Sequence, residues 1–258
     1  FDSFPFDYSA RQKVGGTSLK YFTFKQMPLI SPNFYKGKRF LYNEAKQEEW
    51  FNYRTLELTY TAWDLESFAQ DCNYHGPPFK WNEDRRFQIR CELDAAFFHL
   101  YLPSTKEGNW KPSLVSEGNV KDETEAEFNC LKQAFSTPRH AVEHILESFS
   151  IVKRKDIDAY GEFRTKRVIM EIYDAMQNAM VTGKPYQSPL DPPAGPPEDP
   201  LLEWKPGKPQ PEGWLPHIHP PKGCESQEPK TLAELASKEE LTLPLILTVE
   251  KEKRAKGF

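Results

Sequence analysis

Cysteine is scarce: four in 258 residues, at Cys72, Cys91, Cys130 and Cys224. No two of them form a CxxC pair for zinc, and such scattered thiols do not build a disulfide scaffold. They are expected to be reduced and mostly buried, as in a cytoplasmic protein. Long apolar runs are missing as well. Nothing approaches the ~20 residues of a membrane span, and no charged-then-apolar leader opens the chain, so no membrane partner is expected. Glycine-rich turns are absent: there is neither a P-loop nor GxGxxG to cradle a nucleotide, and no GxSxG elbow to raise a nucleophile. Glu44-Ala45-Lys46 resembles half of a nuclease site, but no suitable aspartate precedes it. Acidic residues outnumber basic ones, 38 to 34, for a net charge of −4. That excludes a globally basic nucleic-acid coat and leaves room for a local basic surface.

What the chain does have is aromatic side chains, 14% of residues, and 23 prolines. The aromatics can build a core, while a mean hydropathy of −0.72 says that part of the chain has little to bury. Length alone allows one or two domains. The chain starts at Phe1 and ends in Lys256-Gly257-Phe258, and is expected to be a piece of something longer. Fourteen of the prolines fall between Pro185 and Pro229. Poor in backbone donors and in apolar periodicity, that segment reads as an extended connector, which Trp204, Trp214 and Leu215 would pin to a neighbouring surface. The expected organisation is a folded body over 1–184, a proline-rich connector over 185–229 and a small appendix over 230–258. In the appendix, Thr231 and Glu234 form a capping box before a short helix ending near Leu241, and Leu243 to Val249 reads as a strand.

The fold class expected is α+β and helix-dominated, with one short N-terminal β element at Leu19 to Lys25. Leu56 to Cys72 reads as one helix. A second starts at Asn82 as N-cap, with Glu83 and Asp84 in its first turn, presents Phe87, Cys91, Phe98 and Tyr101, and stops at Pro103. A third has Thr137 as N-cap and Pro138 in its first position, with Val142, Ile145, Leu146 and Phe149 on one face. A fourth runs from about Phe163 to Met180, lined by Val168, Ile169, Ile172, Tyr173, Met176 and Ala179, and ends at Gly183 and Pro185. Ser104 to Glu125 is polar and long enough for a mobile loop.

His140-Ala141-Val142-Glu143-His144 fits HxxEH, the metal-binding helix of inverzincin peptidases. Two histidines at i and i+4 share a face, and the glutamate between them would activate a zinc-bound water. The helical wheel places both opposite Val142, Ile145 and Leu146, on the solvated side, so a zinc hydrolase stands only as an alternative and no metal ligand is assigned. His217-Ile218-His219 lies in the connector without a third ligand. The PxxP spacings there suit an SH3-like groove, and with the acidic balance they support a second alternative, a protein-interaction module with a proline-rich tail.

Two basic features run against the acidic total. Over 11–54, nine basic residues face three acidic ones: Arg11, Lys13, Lys20, Lys25, Lys36, Lys38, Arg39, Lys46 and Arg54 against Glu44, Glu48 and Glu49. Aromatics are interleaved, among them Tyr21, Phe22 and Phe24. Cations neutralise phosphates while flat rings stack on bases or wedge between steps. Gly15-Gly16 would allow a tight turn. In the second feature, Lys153, Arg154 and Lys155 precede the fourth helix, whose first turns carry Arg164, Lys166 and Arg167. Cations oppose the dipole at a helix start unless an anion binds among them, so these six are expected to hold a phosphate. The opposing expectation is that Asp156, Asp158 and Glu162 neutralise them.

Arg11 to Thr17, followed by Tyr21-Phe22 and Lys25 to Pro28, resembles the region just after the catalytic domain of large bacterial restriction–modification methyltransferases. Leu56 to Phe68, Gly76 to Tyr101 and Phe149 to Met176 fit the same family, as do Gly183 to Tyr186 and Leu190 to Pro193. The likeness covers roughly residues 1–200. It implies site-specific N6-adenine DNA methylation with S-adenosylmethionine, in some members for phage defence, by a Rossmann-like core whose Asn-Pro-Pro-Tyr motif holds a flipped adenine. This chain lacks that motif; Asp191-Pro192-Pro193-Ala194 is its nearest string. The cofactor glycine motif is lacking too. The implied role is therefore the target-recognition and DNA-clamping part of such an enzyme, without catalytic residues or a cofactor of its own. Double-stranded DNA and the methylase core, in the same polypeptide or complex, are the implied partners.

Overall fold

The computed structural model describes residues 3–14, 19–36, 46–111, 125–191 and 193. Lys38, Arg39, Gly15-Gly16, Cys224 and His217-Ile218-His219 lie outside these residues, as do the connector beyond Pro193 and the whole appendix. The chain divides into two compact units, 1–58 with 82–194, and 59–81 with 195–258.

The first unit is helical. Its elements are α1 (Phe4–Lys13), α2 (Tyr21–Phe24), α3 (Pro32–Tyr35), α4 (Gln47–Thr59, closing at the unit boundary), α6 (Glu83–Tyr101), α7 (Glu125–Ala134), α8 (Pro138–Glu147), α9 (Ser150–Tyr160) and α10 (Arg164–Thr182). The local signals for three starts and stops act as written. Asn82 Oδ1 accepts from Arg85 N at 2.9 Å, and Thr137 Oγ1 accepts from His140 N at 3.2 Å. Gly183 closes α10 in the left-handed region, at φ 68°. There L residues carry strain and glycine does not.

α6 is the central element, and its packing explains why no single apolar stripe marks it. Ile89, Cys91, Ala95, Ala96 and Phe98 are buried on several sides of the helix. Cys91, Ala95, Ala96 and Phe98 share one core with Val142, Leu146 and Phe149 from the α8 region, Val168, Ile169, Tyr173 and Met176 from α10, and Trp50 and Phe51 from α4. The two small alanines let α10 approach closely, and His99 stacks flat on Tyr173 with ring centroids 3.9 Å apart.

α6 also buries two carboxylates, and each fastens a remote segment. Asp94 accepts from the backbone N–H of Phe4 at 2.8 Å, capping α1 from across the unit. Glu92 pairs with Arg54 of α4 and accepts the Tyr186 hydroxyl at 2.8 Å. Arg54 also reaches Asp191 at 3.2 Å, and Arg85 reaches the Leu190 carbonyl at 3.4 Å. With Tyr186 and Leu190 buried, the folded body does not stop at 184 but extends through Asp191.

Several expectations are corrected here. Leu19 to Lys25 is not a strand: Tyr21–Phe24 is one helical turn, with Phe24 N bonded to Lys20 O and Lys25 N to Tyr21 O. β-branched and aromatic content favours a strand only where a neighbour supplies a ladder. Among the described residues there is no strand; Ser104 and Trp110 form an isolated bridge. That bridge also corrects the first part of the loop expected over Ser104 to Glu125, of which 112–124 lie outside the described residues. Gln177 of α10 accepts from Ser104 Oγ at 2.8 Å and donates to the Thr105 and Lys106 carbonyls, so residues 104–111 are pinned. Of the cysteines, Cys91 is buried, but Cys72 is half-buried and Cys130 exposed; all three are free thiols.

In the second unit, residues 59–81 are the described part. The single helix expected over Leu56 to Cys72 breaks there. Ala62 is extended (φ −146°, ψ 149°), Trp63–Leu65 is a 3-10 turn, and α5 covers Glu66–Asp71. The break is stabilised by the chain's return: Phe79 N bonds Tyr60 O at 2.8 Å, and Tyr74 stacks on Phe79 at 4.9 Å. No helix among the described residues is long and apolar enough to cross a membrane.

Candidate nucleic-acid interface

Arg164, Lys166 and Arg167 do lie in the first turn of α10. Lys153, Arg154 and Lys155 do not precede it as a free segment; they belong to α9, which Gly161 ends at φ 73°. Asp156 of the same helix is buried, and its Oδ2 accepts from Thr165 N at 2.6 Å. A carboxylate of the chain itself thus occupies the place at the α10 start that a phosphate was expected to take.

The cations around that start have carboxylate partners, and not the set expected. Lys166 lies 3.0 Å from Glu143 and 2.7 Å from Glu147, which also holds Lys153 at 2.7 Å. Those two lysines keep the Glu147 carboxyl below its ordinary range. Arg167 spans Glu162 at 2.9 Å and Glu171 at 3.0 Å. Arg164 lies over Phe87 (4.2 Å) and Tyr160 (4.7 Å) and is 3.6 Å from Asp84. Of the expected neutralisers only Glu162 fulfils that role; Asp156 is the helix cap, and Asp158 has no ion pair among the described residues. Arg154 and Lys155 are exposed, with no carboxylate partner among the described residues.

An open groove of about 320 Å³ runs beside this cluster, lined by Arg139, Lys166 and Arg167 and equally by Glu143, Glu171 and Asp174. Arg139 is bidentate on Asp174, at 2.7 and 2.9 Å. Balanced and paired in this way, the groove offers an anion no net charge.

His140 and His144 are exposed, opposite the buried Val142, Ile145 and Leu146. Their rings pack on Phe135, at 5.7 and 5.2 Å, and Glu143 is paired with Lys166. The HxxEH residues therefore serve a helix surface contact and an ion pair, and the zinc alternative gains nothing from their geometry.

The N-terminal feature is different in kind. Arg11 is engaged with Asp7, at 2.9 Å, and lies over Phe149 at 4.5 Å. Lys13, Lys20, Lys25 and Lys36 are exposed, and none has a carboxylate partner among the described residues. From Tyr8 to Asn43 the sequence has no Asp or Glu, so no neighbour in the chain can pair with them. That acid-free run was the signal available in the sequence, and it is stronger than the local charge excess. On α2, Tyr21 and Phe22 are 72% and 62% exposed, and Lys25 Nζ lies 4.6 Å from the centre of the Tyr21 ring. Met27, buried, anchors the turn. The structure thus brings Lys20 and Lys25 together with two bare aromatic rings.

Comparison with protein-family profiles, with curated proteins and with solved structures finds no match to this chain.

Proposed function

We propose that the chain is the DNA-binding target-recognition segment of a site-specific N6-adenine DNA methyltransferase of the restriction–modification type, working in the bacterial cytoplasm. The resemblance over residues 1–200 supplies the family. The observation that carries DNA binding is the acid-free stretch from Tyr8 to Asn43, with Lys13, Lys20, Lys25 and Lys36 exposed and unpaired among the described residues. Cations that the protein does not neutralise are those that release counterions when phosphate approaches. Arg154 and Lys155 on α9 form a second such pair. The methylase core would contribute S-adenosylmethionine as methyl donor; this chain's part is to hold and orient the duplex.

Fluorescence anisotropy with a labelled duplex over a salt series tests this. If about four of these cations meet phosphates, log K falls with log salt at a slope near −4. No binding at low salt removes the reading.

One observation favours a protein partner as well. Ile151, Ile157 and Tyr160 are exposed on α9 beside Arg154 and Lys155. In an interaction module that face would carry the whole function, and the same titration would show no DNA binding.

A further inference from the structure

The exposure of Tyr21 and Phe22 is not explained by phosphate binding. A cationic surface needs no bare rings, and exposed aromatic side chains cost free energy in water. Nor are they loosely presented. The α2 turn is closed by the bonds from Phe24 N to Lys20 O and from Lys25 N to Tyr21 O, and Met27 N returns to Phe24 O at 3.0 Å. With Met27 buried, the two rings stand on a fixed base. Lys25 lies over one face of Tyr21, and both Tyr21 and Phe22 remain mostly open to solvent.

We infer that Tyr21 and Phe22 form an aromatic pair that stacks on nucleobases displaced from the helical stack, while Lys20 and Lys25 hold the flanking phosphates. This rests on the DNA-binding reading above and adds the base as its ligand. Charge decides against a second copy of the chain as occupant, because two acid-free patches would set lysines against lysines. It favours a polyanion with flat apolar faces, and a nucleic acid with an unstacked base is that ligand.

The test compares two duplexes with a central two-nucleotide bulge, one of adenines and one of abasic residues. The intact chain should prefer the adenine bulge by about 10- to 100-fold, the range for base–aromatic stacking. Tyr21→Ala with Phe22→Ala should abolish the preference while leaving the salt slope and the melting temperature unchanged, since both rings are exposed. Tyr21→Trp should restore it. Equal affinity of the intact chain for both duplexes, with a normal salt slope, overturns the stacking pair and leaves DNA binding standing. Absence of binding to either duplex removes both. Sedimentation with phosphatidylserine-containing vesicles that is lost in the double alanine variant assigns the pair to a membrane surface and also overturns the inference.

Discussion

Tyr186 donates its hydroxyl to Glu92 Oε1 at 2.8 Å, joining residues 94 positions apart in the chain. The other oxygen of Glu92 receives Arg54, and both charged side chains are almost wholly buried. Arg54 is further held by the Trp50 carbonyl at 3.3 Å and the Trp50 ring at 3.7 Å. The segment after α10 is therefore part of the body's polar interior. Tyr186→Phe leaves one oxygen of a buried carboxylate without its donor and should cost about 1–3 kcal/mol in urea unfolding. Glu92→Gln takes from Arg54 its buried counter-charge, leaving only the more exposed Asp191, and should cost more, about 3–5 kcal/mol. Truncation before Pro185 should therefore destabilise the body. A truncated chain with the melting temperature of the full one would contradict this role of Tyr186.

Asp94 and His99, both on α6, make opposite pH predictions. Burial pushes the Asp94 carboxyl up to about 7, against the attraction of Arg90 and the Phe4 N–H. The folded state then holds a proton that the unfolded state has released, so this group's contribution falls as pH rises from about 4 to 7. Burial pushes His99 down to about 4, so its contribution falls as pH drops from about 6.5 to 4. Each shift amounts to about 3–4 kcal/mol, and over the shared window the two nearly cancel. Asp94→Asn should unmask the His99 slope, with stability lost toward acid. His99→Gln should unmask the opposite slope, with stability lost toward neutral pH. Parallel stability–pH curves for the two variants would show that neither group titrates as described.

What could be read from the sequence was local. Asn82, Thr137, Pro138 and Gly183 act through bonds within a turn of themselves, and the apolar faces of α8 and α10 follow one period. α9 was not legible in this way. Its segment from Ser150 to Tyr160 is charged on most sides and buries only Asp156, whose partner, Thr165 N, lies on the next helix. The same limit hid the site. Cations at the start of α10 suggest a phosphate when only α10 is considered, yet their carboxylates come from α8, α6 and α10 itself. The pairs of Lys166 and Arg164 are tertiary, and residue spacing along one helix carries no information about them; those of Arg167, with Glu162 and with Glu171 one turn on, are local. Lys20 and Lys25 have no acid within their own stretch, and among the described residues no remote carboxylate reaches them either.

Asp156 gives a third prediction. Its carboxylate caps α10 while its own residue sits in α9, so one side chain ties the two helices together. Asp156→Ala should lower stability by about 1–2 kcal/mol, as a lost helix cap does, and Asp156→Asn should recover most of it through the amide oxygen. Thermal melts of both variants decide this. An unchanged melting temperature in the alanine variant would show the cap to be energetically idle.

The last prediction separates the two basic features by the salt dependence of DNA binding. Among the described residues Lys20 and Lys25 have no carboxylate to leave, so each phosphate contact they make should count fully in counterion release. Arg164 and Arg167 must first give up Asp84, Glu162 and Glu171, and that exchange returns little. Lys20→Glu with Lys25→Glu should therefore flatten the slope by about two units and weaken all duplex sequences alike. Arg164→Glu with Arg167→Glu should leave the slope near that of the intact chain. It should also lower the melting temperature. A glutamate at 167 would stand between Glu162 and Glu171, and that repulsion outweighs the gain from an acidic residue at a helix start. If instead the arginine pair flattens the slope and the lysine pair does not, DNA runs over α9 and α10, and the acid-free stretch has some other partner.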